Sequence, residues 1–283
     1  MRAVRRLVSI SALTKAVVAG PALAEALSQA ATSSALDITG PAAVRPFVID
    51  GLVRKGRQVV VVTSTVREAE QVADEVIGLL GRERVAIFPA WETLPHERLS
   101  PRSDTVGTRL AVLRRIVHPG DDPETGPLDV IITPVRSLLQ PQVKGLAHLA
   151  PVELKTGDQV ALDDVVRRLS AAAYSRVDLV EKRGEFAVRG GIVDIFPPIE
   201  EHPLRVEFFG DDVDEIRSFA VADQRTIEKR ERLWAPPCRE LLLTDEVRAR
   251  AEQLSQQHPT LRDLTDQLAQ GIAVEGMESL APV

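Results

Sequence analysis

The sequence predicts an α/β protein: a parallel-sheet domain followed by a small α+β domain with an antiparallel sheet. In the first half, apolar runs of strand length alternate with helical patterns, as in a parallel sheet that carries helices on its faces. From Tyr174 to Ala220, short runs rich in Val, Ile and Phe follow one another between turn formers, which is typical of antiparallel strands. The length of 283 residues allows two domains or three.

The α/β pattern begins with the apolar run 58–63, which is typical of a strand buried on both faces. Thr65 and Glu68 then have the spacing of a capping box. Apolar residues follow at helical spacing until Gly81, which predicts the end of a helix. The other elements predicted in this half are a strand over 85–88, a helix over 104–117 and a strand over 129–133.

The antiparallel region contains five predicted strands, 176–180, 185–189, 192–196, 204–209 and 215–220. Successive side chains of a strand point to opposite faces of the sheet. The sequence therefore predicts one buried apolar face and one charged face. The apolar members are Val177, Leu179, Phe186, Val188, Val206 and Phe208, and the charged members are Arg176, Asp178, Glu185, Arg189, Arg205 and Glu207.

These charges have two interpretations. They are either the solvated side of a small sheet or a recognition face that holds arginines and carboxylates on rigid strands. Since charged residues are ordinary on protein surfaces, the alternation by itself favours the solvated side.

The composition narrows the class of protein. A net charge of −6 argues against an electrostatic DNA binder. The single cysteine excludes a disulfide framework, and the five histidines lack the spacing of metal ligands, so we predict no metal and no cofactor. No run approaches the ~20 apolar residues of a membrane span, and we expect a cytoplasmic protein. A modest basic patch is formed by Arg98, Arg102, Arg109, Arg114 and Arg115.

The parts of a nucleotide-hydrolysis site are missing from the sequence. No GxxxxGK[ST] motif occurs, and the nearest candidate, Thr39-Gly40-Pro41, has one glycine, no lysine and a proline that lacks an N–H donor. No metal-binding acid follows the strands that end at Thr63 and Thr133. With no GxSxG or HExxH motif either, we do not expect an enzyme.

Several stretches resemble the part of bacterial transcription-repair coupling factors that is homologous to the excision-repair protein UvrB. The first two are VVVVTSTVREAEQVADEV from Val59 and DVIITPVRSLLQP from Asp129. The loop FPAWETLPHERLSP from Phe88 favours the coupling factors over UvrB itself. The most specific are YSRVDLVEKRGEFAVRGGIVDIFPP from Tyr174 and LRVEFFGDDVDEIRSF from Leu204. Together these stretches span most of residues 30–283.

The resemblance implies three subdomains. Residues 1–148 would form a helicase-like α/β domain whose nucleotide site is degenerate, since Thr39-Gly40-Pro41 stands where UvrB has its phosphate-binding loop. Residues 149–232 would be the α+β insert. Residues 233–283 would begin a second α/β subdomain, so that the sequence looks truncated.

The resemblance also implies a partner. In the family, the insert binds UvrA after stalled RNA polymerase is displaced, which makes this chain a non-catalytic recruiting module of an ATP-dependent translocase. It implies that a C-terminal domain of the parent chain masks this face, and it favours the recognition face over the solvated side. Phe186 falls on the buried side, and Ala187 replaces an arginine of UvrB. The UvrA-contacting positions carried over are Arg176, Arg189, Arg205, Glu207 and Phe209.

We expect Arg189→Ala or Arg205→Glu to abolish UvrA binding without unfolding the module. The alternative function is an active superfamily-2 type ATPase or DNA-binding helicase domain. The missing lysine and acid count against it. A weak DNA contact would be secondary, because 4% aromatic residues offer few stacking platforms.

Overall fold

The computed structural model describes residues 10–94, 97–121 and 126–280. The chain divides into two compact units, one of Met1–Ala90 with His118–Leu139 and one of Trp91–Val117 with Gln140–Val283. The subdomain boundaries expected near residues 148 and 232 do not coincide with this division and stay a prediction. Among the described residues, no helix has both the length and the apolar character needed to cross a membrane.

The elements alternate as the sequence predicts. The helices are α1 (Ile10–Val18), α2 (Pro21–Thr32), α3 (Arg45–Arg54), α4 (Val66–Leu80), α5 (Ser103–Val117), α6 (Val135–Leu139), α7 (Leu162–Ala171), α8 (Asp245–Gln257) and α9 (Arg262–Ala269). The strands are β1 (Val59–Thr63), β2 (Val85–Ile87), β3 (Val130–Pro134), β4 (Val152–Lys155), β5 (Ser175–Arg176), β6 (Glu185–Arg189), β7 (Ile192–Ile195), β8 (Leu204–Phe209), β9 (Asp212–Phe219), β10 (Thr226–Arg230) and β11 (Arg232–Ala235).

The first unit contains the predicted parallel sheet, in the order β1-β3-β2. The central strand β3 is buried along its length, and the apolar stripe of α4 packs against it. The prediction that β1 is buried on both faces is wrong, because Val60 is 55% and Val62 49% exposed. β1 is an edge strand whose Val59 and Val61 join the core, so the alternate side chains lie on the opposite face.

The predicted N-cap of α4 at Thr65 is confirmed, but the reciprocal bond of the capping box is made to Ser64, one residue before the cap. The Oγ1 atom of Thr65 accepts the N–H of Glu68 at 3.1 Å. The Glu68 carboxylate accepts the backbone N–H of Ser64 at 3.2 Å and its hydroxyl at 2.9 Å. These bonds, with a further one from Arg45, lower the pKa of Glu68. Gly81 ends the helix at a φ of 93°, where glycine is favoured.

The second unit contains a six-stranded sheet in the order β10-β9-β8-β7-β6-β5. Strands β6 and β8 have the predicted bounds, and β7 and β9 differ from theirs by one to three residues. The predicted strand 176–180 is wrong. Its place is taken by the two-residue strand β5, which pairs parallel with β6, and Leu179 is 44% exposed instead of buried. Strand β10 and the pair β4–β11 were not predicted.

One face of this sheet forms the core of the second unit. Phe186, Val193 and Val206 are fully buried on it. The amphipathic helix α7 adds Val165 and Leu169 to the same cluster. Burying each side chain of this size stabilises the fold by roughly 1.5–3 kcal/mol. The opposite face of a sheet anchored in this way is a stiff surface for other side chains.

Candidate functional site

The strand register defines a charged face opposite the apolar core. Asp194 pairs with Arg205 across β7 and β8, and Arg205 pairs with Arg217 across β8 and β9. Cross-strand partners point to the same side of a sheet, so these side chains share a face. The charged side chains that the register and alternation place on this charged face include Glu185, Arg189, Asp194, Arg205, Glu207, Asp212, Glu215, Arg217 and Lys229.

Three of these residues form a compact ionic group, the Asp194 group, made of Arg189, Asp194 and Arg205. The carboxylate of Asp194 is 1% exposed. Its Oδ1 accepts from Nε of Arg205 at 2.6 Å, and its Oδ2 accepts from Nη2 of Arg205 at 2.8 Å. The same Oδ2 accepts from Nη2 of Arg189 at 2.8 Å. A bidentate pair of this kind fixes the orientation of the guanidinium as well as its position.

Arg205 is more enclosed than the sequence suggested. Its side chain is 16% exposed, and its guanidinium lies 4.6 Å from the centroid of the Phe219 ring. Gln224 accepts a further hydrogen bond from Nη2 at 3.1 Å. The bonds to Asp194 raise the pKa of Arg205. We therefore expect Arg205→Glu to destabilise the fold, contrary to the prediction from the sequence. The substitution would put a second carboxylate beside the buried carboxylate of Asp194.

Four further charges form a second ionic group, the Arg217 group, made of Glu207, Glu215, Arg217 and Lys229. The guanidinium of Arg217 bonds to Glu207 and Glu215, and Lys229 lies 2.7 Å from Glu215. Hydrogen bonding from Lys229 is the largest cause of the lowered pKa of Glu215. Glu207 is 29% exposed and already bound to Arg217, so its carboxylate is only partly available to a partner.

Phe209 is the most exposed aromatic side chain among the described residues, at 81%. Strand alternation puts it on the charged face, two residues beyond Glu207, where β8 ends before Gly210. At this exposure the ring buries little area within the fold and leaves an apolar surface open to contact.

Arg176 stands apart from the other four candidate residues. It is exposed, and within the described ranges it makes no ion pair. Its register partner in β6 is Phe186, which belongs to the core face. The structure thus brings together Arg189, Arg205, Glu207 and Phe209 on one face and places Arg176 at the β5 edge.

The side chain of Ala187 is buried by apolar neighbours. Ala187 lies directly opposite Asp194 in the register, and it is 2% exposed in a small cluster with Val180 and Phe196. An arginine at position 187 would have to displace these apolar neighbours. Position 187 of this chain therefore contributes to apolar packing and offers no contact to a partner.

The candidate nucleotide loop Thr39-Gly40-Pro41 is exposed and precedes α3. A side chain added at Gly40 would meet no atom within 4 Å, so this glycine does not mark a close backbone approach. Pro46 occupies the first turn of α3 and supplies no N–H donor. The loop borders a cavity of ≈ 780 Å³ whose other walls are mostly apolar, including Leu23, Val48, Val60 and Val62.

Arg109, the central residue of the basic patch predicted from the sequence, does not lie on the surface. Arg109 is fully buried, and its Nε donates to Oε1 of Glu240 at 2.5 Å. The indole N–H of Trp91 donates to the same oxygen at 3.0 Å. Arg109 is therefore unavailable to DNA, because it orders the interior of the second unit. Among the described residues, no group of three or more His, Cys, Asp or Glu side chains could hold a metal ion.

Sequence reasoning missed Asp194 and Arg217 as members of the charged face. Asp194 carried a signal, since it is an acid flanked by Val193 and Ile195 in an otherwise apolar strand. A buried carboxylate of this kind requires a cationic partner nearby. Arg217 follows from the alternation of β9 once the register with β8 is known.

Comparison with known proteins places this region in a family. The family described as "UvrB interaction domain" matches residues 152–241, which include the whole charged face. The chain is 52% identical over 258 residues to the transcription-repair-coupling factor of Mycobacterium tuberculosis (strain CDC 1551 / Oshkosh), covering 88% of this chain and 21% of that protein.

Other relatives carry the same name at lower identity. The transcription-repair-coupling factor of Myxococcus xanthus is 36% identical over 213 residues, with 72% of this chain and 17% of that protein covered. That of Escherichia coli (strain K12) is 32% identical over 205 residues, with 72% and 17% covered. The chain spans about a fifth of the length of the curated relatives it matches.

Proposed function

This chain belongs to the family of transcription-repair-coupling factors, and from this we propose that it is a non-catalytic module that recruits UvrA. In this role it links the removal of stalled RNA polymerase to nucleotide excision repair. The match of residues 152–241 to the UvrB interaction domain is the observation that carries the proposal.

The charged face offers two kinds of contact to a protein partner. Arg189 is 52% exposed and presents a guanidinium whose orientation is set by Asp194, which suits a carboxylate on the partner. Phe209 presents an apolar ring that suits a pocket. An arginine and an aromatic residue are the side-chain types that dominate binding energies at protein interfaces.

The first test is the substitution Arg189→Ala in the 283-residue chain. Because a central interface arginine contributes about 2 kcal/mol, we expect the affinity for UvrA to fall roughly 30-fold in isothermal titration calorimetry. Arg168→Ala is the matched control, since Arg168 is an exposed arginine on α7, the helix that packs on the apolar side of the sheet. Unchanged binding by Arg189→Ala would show that UvrA does not use this face.

The absence of catalysis is the second part of the proposal. It is supported by the lack of lysine in the loop 39–41, by the open space at Gly40 and by Pro46 in the first turn of α3. We expect no ATP hydrolysis by this chain and no saturable binding of magnesium-ATP in an equilibrium titration. Turnover that is lost on Gly40→Pro would favour an active ATPase instead.

Masking by a C-terminal domain, weak contact with DNA and a cytoplasmic location are also proposals that rest on the family. Masking is supported by the exposure of Phe209, which leaves an apolar surface for another domain to cover. A DNA contact has less support than the basic patch suggested, because Arg109 is buried.

A further inference from the structure

The buried carboxylate of Asp194 is the least expected feature of the charged face. Strand β7 is otherwise apolar, and a carboxylate in such a place is costly unless it is paired and hydrogen-bonded. Asp194 meets this requirement with three hydrogen bonds, two from Arg205 and one from Arg189.

The two ionic groups differ in net charge. In the Arg217 group, two carboxylates face two cations, so the group is neutral. In the Asp194 group, one carboxylate faces two guanidinium cations, so one positive charge remains. The charged face therefore has a local excess of positive charge at one place rather than a general basic character.

The surplus charge is exposed at Arg189. Arg205 donates hydrogen bonds from Nε and Nη2 to Asp194, and Phe219 and Gln224 cover its guanidinium. Arg189 is half exposed, and Asp194 is its one acceptor among the described residues. A guanidinium has five N–H donors, so most of those of Arg189 are left for a partner.

We propose that Asp194 is a positioning residue of the partner-binding face, whose buried carboxylate, itself fixed by Arg205, holds Arg189 ready to bind a carboxylate of UvrA. Pre-orienting a long side chain lowers the conformational entropy that is lost on binding. This inference rests on the proposed function, and it assigns to Arg205 the role of an anchor beneath the surface rather than that of a main contact.

The test is a double-mutant cycle between Asp194→Asn and Arg189→Ala in the 283-residue chain, with UvrA affinity measured by calorimetry. We expect Asp194→Asn alone to weaken binding about tenfold, and to have little further effect in the Arg189→Ala background, because its action passes through Arg189. Additive losses, or full affinity in Asp194→Asn, would overturn the inference.

A spectroscopic measurement separates positioning from general destabilisation. In ¹⁵N-labelled chain, the Nε–H resonance of Arg205 should be shifted and protected from exchange, and both properties should be lost in Asp194→Asn while the backbone amide pattern persists. An unprotected Arg205 resonance in the wild-type chain would contradict the proposal. If Asp194→Asn does not fold, Asp194→Glu keeps the charge but displaces the carboxylate, and the same loss of affinity and protection is expected of it.

The control is Glu153→Gln on strand β4, outside the charged face, which removes the negative charge that pairs with Lys155 of β4 and Arg232 of β11. It should bind UvrA with wild-type affinity. The outcomes distinguish the two claims: if Arg189→Ala binds normally, the proposed function fails, whereas a loss in Arg189→Ala with none in Asp194→Asn removes the positioning role alone.

Discussion

Arg189 and Arg205 share one carboxylate, yet their surroundings give them different roles. Arg189 is half exposed and bound to Asp194 by one hydrogen bond, whereas Arg205 is 16% exposed and bound to it by two. Removing the more buried partner leaves Asp194 with a single, half-exposed cation. The same residue type is therefore a surface contact at one position and part of the fold at the other.

Arg205→Glu is expected to destabilise the second unit by about 3–5 kcal/mol, because it breaks a buried ion pair and sets two carboxylates side by side. Chemical denaturation followed by tryptophan fluorescence measures this, since both tryptophans, Trp91 and Trp234, lie in that unit. Arg189→Ala should lower the free energy of unfolding by less than about 1 kcal/mol, as is usual for an exposed partner. Equal denaturation midpoints for Arg205→Glu and the wild-type chain would contradict the structural role.

Among the elements, those governed by local chemistry were predicted best. The helix α4 follows from the cap at Thr65 and the stop at Gly81, and β6 and β8 follow from their flanking turns. The pair β4–β11 joins segments that lie far apart in the sequence, and periodicity records neither this pairing nor the parallel direction in which β5 pairs with β6. For the same reason, alternation placed Arg205 on the correct face but did not reveal that the turn carrying Gln224 encloses it.

Two buried residues with titratable side chains, Tyr174 and Cys238, link the segment after α7 to the segment after β11. The hydroxyl of Tyr174 donates to the carbonyl of Pro236 at 2.9 Å, and the N–H of Cys238 donates to the carbonyl of Ala172 at 2.9 Å. Burial raises the pKa of Cys238 to about 12 and also raises that of Tyr174. Both groups are therefore held neutral by the folded chain.

This pair predicts a loss of stability at alkaline pH. Above the unfolded pKa of a thiol, near 8.5, the unfolded chain releases a proton that the folded chain retains until about pH 12. The free energy of unfolding should then fall with a slope approaching 1.4 kcal/mol per pH unit for each such group. Denaturation curves between pH 8 and 11 check this. Cys238→Ala should show a shallower slope, and an equal slope would assign the effect to other groups.

The second unit contains a well-packed core and, on the other face of its sheet, exposed side chains that the core does not use. Phe186 and Val206 stabilise the sheet from one side, while Phe209 and Arg189 on the other side contribute little to it. A surface of this kind is costly to leave open in a longer protein, because an exposed aromatic ring invites non-specific contacts. The relatives are roughly four times the length of this chain, and a covering domain would lie in the part of them that this chain does not span.

Masking predicts that the full-length protein binds UvrA more weakly than this chain does. A covering domain competes with UvrA for the same side chains, so its removal should raise the affinity, and the gain should disappear when Arg189 and Phe209 are both replaced by alanine. Calorimetry on the full-length protein, the 283-residue chain and the two doubly substituted forms measures the four affinities. Equal affinity of the two unsubstituted proteins would show that the face is open throughout. A gain that survives the double substitution would place the masked surface elsewhere.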